Sequence, residues 1–372
     1  MHTPTLLLRT ALAALITLHT FPGSSQLHKL AQQAGLLYFG AATDTPGQRE
    51  RAPYPQSYAQ YDAILADPDE FGQTTPTNGQ KWLFTEPSPG VFNFTQGDYV
   101  AERVADGGKK KLLRCHAAVW HNQLAPWVMM DGNATVTWTK ESLAEAVQRH
   151  VSGVVGYYKG KCYAWDVVNE ALDEDGTYRR SLFYEVLGEE YLKLAFGAAA
   201  EADPAAKLYY NDYGIERPGS NKTAGVKRLV RMLKDAGLRV DGIGMQAHLH
   251  ADNHPSKDDL LQTMKGYAEL VDEVAFTELD VRIRLPVDET KLAMQKECYQ
   301  KVVAACVETE KCVGITVWDF YDPFSWVPDV FPGYGASLLW FEDFSKHPAY
   351  DGMVETFKSL IAANGTATKR KV

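Results

Sequence analysis

Between residues 26 and 360 the chain switches repeatedly between two hydrophobic patterns. One is a short, β-rich and mostly apolar run, at 36–41, 71–75, 111–117, 163–168, 207–211, 242–246, 274–279 and 313–320. The other is longer and keeps apolar residues on one helical face, as at 142–158, 185–202, 223–236, 257–270 and 290–308. A strand that is apolar on successive residues is buried on both faces, as in a parallel sheet covered by helices. Eight such strands alternating with helices, with no dividing linker, predict an α/β fold of one domain, a (β/α)8 TIM barrel. An open, doubly wound sheet is the other arrangement that the alternation allows. No Gly-x-Gly-x-x-Gly follows the first strand and no Gly-x4-Gly-Lys-Ser/Thr occurs, so nucleotide chemistry loses its main support.

Residues 6–18 are an apolar stretch broken only by Arg9 and two threonines, followed by Phe21-Pro22-Gly23-Ser24-Ser25. The stretch is shorter than the roughly 20 residues a membrane-spanning helix needs. One positive charge, a short apolar core and small residues behind it make a secretory leader, expected over residues 1–25. No later run is long enough to cross a bilayer, so no membrane partner is expected. The catalytic domain is then expected over 26–362, with 363–372 as a disordered tail. A chain of 372 residues, 45% hydrophobic and 23% charged, is globular. Its net charge of −9 argues against a nucleic-acid partner, and a monomer is expected.

Export agrees with four Asn-x-Ser/Thr sequons, at Asn93, Asn133, Asn221 and Asn364, the expected glycan acceptors. Five cysteines are too few for a disulfide scaffold of this size, and none shows metal spacing. Cys306 and Cys312 are close enough to bridge a helix end to the next strand and are expected paired. Cys115 and Cys162 belong to neighbouring predicted strands, and their state stays open. Cys298 is left as a free thiol.

Barrel enzymes carry their reactive side chains at the C-terminal ends of the strands. Here those ends are polar. Asp44 follows the first strand, Asn78 and Lys81 the second, Trp120 and His121 the third, and Asn169 and Glu170 the fourth. Asn211, Asp212 and Tyr213 follow the fifth, Gln246 and His248 the sixth, Glu278 and Asp280 the seventh, and Trp318 the eighth. Two glutamates on strands four and seven can face each other across the barrel mouth. Glycoside hydrolysis needs such a pair, one carboxyl to protonate the leaving oxygen and one to attack or stabilise the anomeric carbon. Asn169 is placed to hold the sugar 2-hydroxyl. Glu278 and Asp280, two residues apart, share a strand face, and His248 can hydrogen-bond that pair and fix the nucleophile.

The motifs at these positions resemble those of glycoside hydrolase family 10, the endo-β-1,4-xylanase family. Trp165-Asp166-Val167-Val168-Asn169-Glu170-Ala171 is similar to its acid/base signature, and Thr277-Glu278-Leu279-Asp280-Val281-Arg282 to its nucleophile signature. Val119-Trp120-His121-Asn122-Gln123-Leu124, Asn211-Asp212-Tyr213, Gly244-Met245-Gln246-Ala247-His248-Leu249 and Gly314-Ile315-Thr316-Val317-Trp318 resemble further segments, in family order. The resemblance implies a retaining double displacement on a plant β-glycan. In it Glu170 is acid and then base, with a raised pKa, and Glu278 is the nucleophile, supported by His248 and Asp280. It implies that Lys81, His121, Asn169 and Gln246 contact the sugar at the cleaved bond, with Trp120 and Tyr213 also binding substrate. Trp318 and Trp326 would be floor and wall, and Asn78 would hold the next sugar outward. No metal and no organic cofactor are required.

The chain departs from the family pattern in several places. Thr77 stands in Pro76-Thr77-Asn78-Gly79-Gln80-Lys81-Trp82 where the family usually has a glutamate that binds the second sugar. Asp319 follows Trp318 where glycine is usual, and Leu83 and Phe84 replace small or acidic neighbours. These changes allow a xylanase with a weakened outer subsite. They also allow a shifted substrate, a plant saponin or glycoalkaloid whose greasy aglycone would meet Leu83, Phe84 and Phe324. A reading of another class is a secreted protein sensed by a plant host, for which both glutamates would be dispensable.

Overall fold

Eight strands lie side by side: β1 Tyr38–Thr43, β2 Gln73–Pro76, β3 Leu112–Trp120, β4 Ala164–Asn169, β5 Lys207–Asp212, β6 Gly242–Met245, β7 Glu273–Arg284 and β8 Cys312–Val317. They come from a computed structural model that describes residues 26–43, 55–106, 111–131 and 134–369. Each strand pairs in parallel with the next in sequence, β8 pairs with both β7 and β1, and the sheet closes into a barrel. The strands are buried along almost their whole length. That is why most of them are apolar on consecutive residues rather than alternate ones. β2 is polar, and its buried Gln73 donates to Thr75 at 2.7 Å and accepts from Thr316 at 2.5 Å.

The barrel interior is filled by a few large side chains opposite glycines. A Cβ on Gly314 would lie 2.5 Å from the Tyr38 ring, and one on Gly242 would lie 2.4 Å from the Tyr209 ring. Arg114 and Asp166 form an ion pair in this interior, with the guanidinium 4.2 Å above the Tyr209 ring. Burying one of these charges without the other would be costly.

Helices form the outer layer, each burying one stripe against the sheet. Helix Lys140–Tyr157 buries Leu143, Val147, Val151 and Val154. Helix Asn221–Asp235 buries Val226, Leu229, Val230 and Leu233. Side chains of Thr139, Ser220, Ser256 and Asp288 cap four of the helices by accepting from otherwise unbonded first-turn amides.

Several boundaries differ from the sequence expectation. β7 extends to Arg284 because its far half pairs with two short strands, His248–His250 and Tyr334–Gly335. β8 stops at Val317, so Trp318 lies just beyond it. The helix expected over 185–202 is two helices, Leu182–Leu187 and Glu190–Ala202, separated at Gly188 with φ +62°. The last helix runs Pro348–Lys369, through most of the stretch expected to be a disordered tail. The leader, Asp44 and Asn133 lie outside the described residues.

The expected bridge Cys306–Cys312 is present, with Cα atoms 5.2 Å apart. Cys115 and Cys162 also pair, at 5.8 Å, and Cys298 is a buried free thiol. No described helix is long and apolar enough to cross a membrane.

Candidate active site

The C-terminal strand ends surround a cleft of about 700 Å³. Of the residues expected there, Asn78, Lys81, Trp120, Asn169, Glu170, Tyr213, Gln246, His248, Glu278, Trp318 and Trp326 line it. His121 borders it, with Nδ1 3.9 Å from the Glu170 carboxylate. Asp280 is fully buried behind His248.

Glu170 is the first residue past β4 and turns out of the strand with φ +55°. Its amide donates to the Asn211 carbonyl at 2.9 Å, and Arg179 Nε donates to its own carbonyl at 3.0 Å. Its carboxylate accepts from Trp120 Nε1 at 2.9 Å, Gln246 Nε2 at 3.0 Å and Asn169 Nδ2 at 3.3 Å. Burial pushes this carboxyl's pKa up. The Gln246 and Trp120 bonds and the charges of His121 and Arg179 outweigh burial and hold it below its ordinary value. The raised pKa expected for Glu170 is therefore corrected for the substrate-free protein. Donors aimed at the ionised form favour that form.

Glu278 occupies the middle of β7. Its Oε1 accepts from Asn211 Nδ2 at 2.7 Å, and its Oε2 lies 3.3 Å from His248 Nε2. The other His248 nitrogen is 2.8 Å from Asp280 Oδ2, which also accepts from Trp326 Nε1 at 2.8 Å. Burial pushes the His248 pKa down, but Asp280 and Glu278 together lift it to about 10. Near neutral pH His248 is thus an imidazolium gripped between two carboxylates.

An amide network connects the two glutamates. Asn169 Oδ1 accepts from Asn211 Nδ2 at 2.9 Å and Gln246 Nε2 at 3.1 Å, and Asn211 Oδ1 accepts from Thr277 at 2.6 Å. Motion of either carboxyl would break bonds on β4, β5, β6 or β7. Under the cleft, Trp318 packs edge-on between His116 and His248, with centroids 5.3 and 6.4 Å away. His116 is itself tied to Asp166 at 2.9 Å.

At one end of the cleft, Lys81 donates to Asn78 Oδ1 at 3.0 Å and Gln123 Oε1 at 2.6 Å, and its ammonium lies 4.4 Å from the Trp120 ring centre. Thr77 lines the same end, its hydroxyl accepting from Asn78 at 3.4 Å. Asp319 takes φ +66° and accepts from the Phe320 amide at 2.6 Å, the Tyr321 amide at 3.1 Å and the Tyr61 hydroxyl at 3.1 Å. A short carboxylate that bonds its own local backbone is one of the few side chains that tolerate this conformation in place of glycine.

Leu83 and Phe84 do not line the cleft, so their apolar surface is not offered to a ligand there. Phe324 does line it, together with Val330 and Phe331. Phe324 was expected to meet an apolar ligand, whereas sequence reasoning gave no role to His116, Gln123, Arg282, Val330 or Phe331. Gln123 and Arg282 stand inside quoted motifs and His116 shortly ahead of Trp120, which was the available signal. Val330 and Phe331 lie beyond any strand end and had none.

A (β/α)8 barrel with a carboxyl pair at its mouth, one held by an imidazolium and one by neutral donors, has the architecture of a glycoside hydrolase. Residues 26–356 match glycosyl hydrolase family 10, and the chain belongs to that family. It is 61% identical over 329 residues to endo-1,4-beta-xylanase A of Humicola insolens, covering 88% of this chain and 85% of that one. It is 44% identical to endo-1,4-beta-xylanase D of Talaromyces funiculosus, covering 95% and 82%. Among solved structures, xylanase 10B from Thermotoga petrophila in complex with xylobiose superposes with a TM-score of 0.83 at 34% identity, covering 90% and 98%.

Proposed function

We propose that the protein is a secreted, retaining endo-β-1,4-xylanase that cleaves internal bonds of plant xylan. The observation that carries this reading is the unlike setting of the two carboxyls. Glu278 is fixed by Asn211 and the His248 imidazolium, while Glu170 is held by N–H groups lining the cleft. The xylanases among the relatives support the substrate.

In the first step Glu278 attacks the anomeric carbon, the glycosidic C–O bond breaks, and Glu170 gives its proton to the leaving oxygen. Glu170 must be protonated for this. A sugar that displaces Trp120 or Gln246 from Glu170 removes donors to the ionised form and raises the pKa. In the second step Glu170 takes a proton from water, the water oxygen bonds to the anomeric carbon, and Glu278 leaves as carboxylate. The network through Asn169 keeps both carboxyls aimed at one carbon.

Export rests on the leader-like residues 1–25 and on two disulfides, which suit an oxidising compartment. Asn93 and Asn221 are exposed and are the acceptors we propose for glycans. The apolar wall of Phe324, Val330 and Phe331 favours a second reading, an apolar aglycone at that end of the cleft.

The test is product analysis by mass spectrometry on soluble β-1,4-xylan and, in parallel, a steroidal glycoalkaloid. Short xylo-oligosaccharides, first formed as the β-anomer, are expected. Free aglycone with xylan untouched would select the second reading. Glu278→Ala is expected to lower turnover by about four orders of magnitude or more without unfolding, as loss of a nucleophile does. Activity retained in that variant would overturn the assignment.

A further inference from the structure

Ala247 separates two side chains of the site and adopts φ +58°. In this left-handed region the Cβ of an L-residue crowds its own backbone, so surrounding bonds must maintain it. The kink ends β6 and starts the short strand His248–His250, which pairs with Asp280–Arg282 of β7. Residues two apart on a straight strand project in parallel. Across this kink they serve different partners. Gln246 reaches Asn169 and Glu170 at the end of β4, and His248 reaches Glu278 and Asp280 on β7.

The kink is held from behind. The Ala247 amide donates to Glu216 Oε1 at 2.9 Å. Glu216 follows β5, is 3% exposed, and is absent from the cleft lining. Its own position is set by the outer helices. Its carbonyl accepts from Thr263 at 3.2 Å, and the neighbouring Ile215 carbonyl accepts from Tyr267 at 2.9 Å and Thr223 at 3.2 Å. Burial raises the Glu216 pKa, opposed by the Ala247 amide and by the charge of His248. A carboxyl buried at this cost must bond to something, and here it bonds to a strained amide between two residues of the site.

We propose that Glu216 is a positioning residue for glycoside cleavage. It holds the left-handed Ala247 backbone and thereby aims Gln246 at Glu170 and His248 at Glu278. The proposal rests on the carboxyl-pair reading above.

The experiment compares Glu216→Ala, Glu216→Gln and Glu216→Ala combined with Ala247→Gly for kcat and KM on an aryl β-xylobioside, with thermal unfolding recorded for each. Loss of an orienting group behind a reacting one costs about ten- to hundredfold. Glu216→Ala is expected to lower kcat by that factor, with KM within about threefold. Gln keeps an acceptor oxygen and should retain at least about a third of kcat. Glycine takes positive φ without a Cβ penalty, so adding Ala247→Gly should recover about three- to tenfold of the lost kcat. A folded Glu216→Ala protein with wild-type kcat overturns the proposal, as does a loss that neither glutamine nor glycine reduces.

If Glu216→Ala does not fold, Glu216→Asp takes its place, withdrawing the carboxylate by one methylene. Its kcat should fall at least about fivefold with KM kept, and an unchanged kcat overturns the proposal. Wild-type inactivity on β-xylosides with release of free aglycone would sink the xylanase reading alone, and the same kcat comparison is then read on the glycoalkaloid. Inactivity on both would sink the glycosidase reading and this proposal together. Failure confined to the variants sinks this proposal alone.

Discussion

At the scale of single residues, the protonation of Glu170 is decided by what surrounds its carboxylate. Glu170 is largely buried, which alone would raise its pKa and keep it protonated, yet the Gln246 and Trp120 N–H donors and the charges of His121 and Arg179 reverse that effect in the substrate-free protein. Trp120→Phe removes one donor while keeping most of the ring surface. Losing a donor to the ionised form raises the pKa of a carboxyl. The alkaline limb of the kcat/KM profile, where the protonated acid is lost, is therefore expected to move to higher pH in this variant. A shift to lower pH, or none, would show that Trp120 does not set the protonation of Glu170. Asp319 works at the same scale to a structural end. Its carboxylate stabilises a left-handed turn that glycine adopts without help.

At the scale of elements, the barrel is a fitting problem between strands. Tyr38 on β1 and Tyr209 on β5 are fully buried rings, and each occupies space left open by a glycine on an adjacent strand. Gly314→Ala would place a methyl 2.5 Å from the Tyr38 ring, which has no solvent-side rotamer to escape into. Overpacking of this kind costs about 1–3 kcal/mol. A lower urea midpoint with an unchanged slope is the expected result. An unchanged midpoint would mean that the β1–β8 seam is looser than its packing indicates. Because Trp318 follows β8 directly, a shifted seam should also raise KM.

At the scale of the whole molecule, two disulfides constrain very different lengths of chain. Cys115–Cys162 closes a separation of 47 residues and joins β3 to the segment leading into β4, whereas Cys306–Cys312 closes 6. Chain-entropy reasoning gives about 4 kcal/mol for the longer loop and about 2 kcal/mol for the shorter. Replacing both Cys115 and Cys162 by alanine should therefore lower the melting temperature more than replacing Cys306 and Cys312. The reverse order would show that native packing around the short bridge, not loop length, dominates. Terminal closure adds to this restraint. The last helix packs on helix Glu289–Val307, and Tyr350 bonds to buried Glu70 at 2.9 Å, tying the end of the domain to its beginning.

The barrel was legible in the sequence because burial on both strand faces leaves a local mark in most strands, a largely apolar run. The two glutamates were legible because strand ends can be counted once the strands are found. Local spacing could not show that β7 continues to Arg284, since that half is a strand only through pairing with His248–His250 and Tyr334–Gly335. Nor could it show the kink at Ala247, the place of His116 beneath the cleft, or that Phe324 faces the cleft while Leu83 and Phe84 do not. The protonation of Glu170 was misjudged for the same reason. Burial can be anticipated from position, but Trp120 on β3 and Gln246 past β6 meet that carboxylate only when the barrel closes. Hydrophobic period is a property of neighbours in the chain and selects the elements. Hydrogen bonds and charge act over a few ångströms of space, so only the closed barrel decides them.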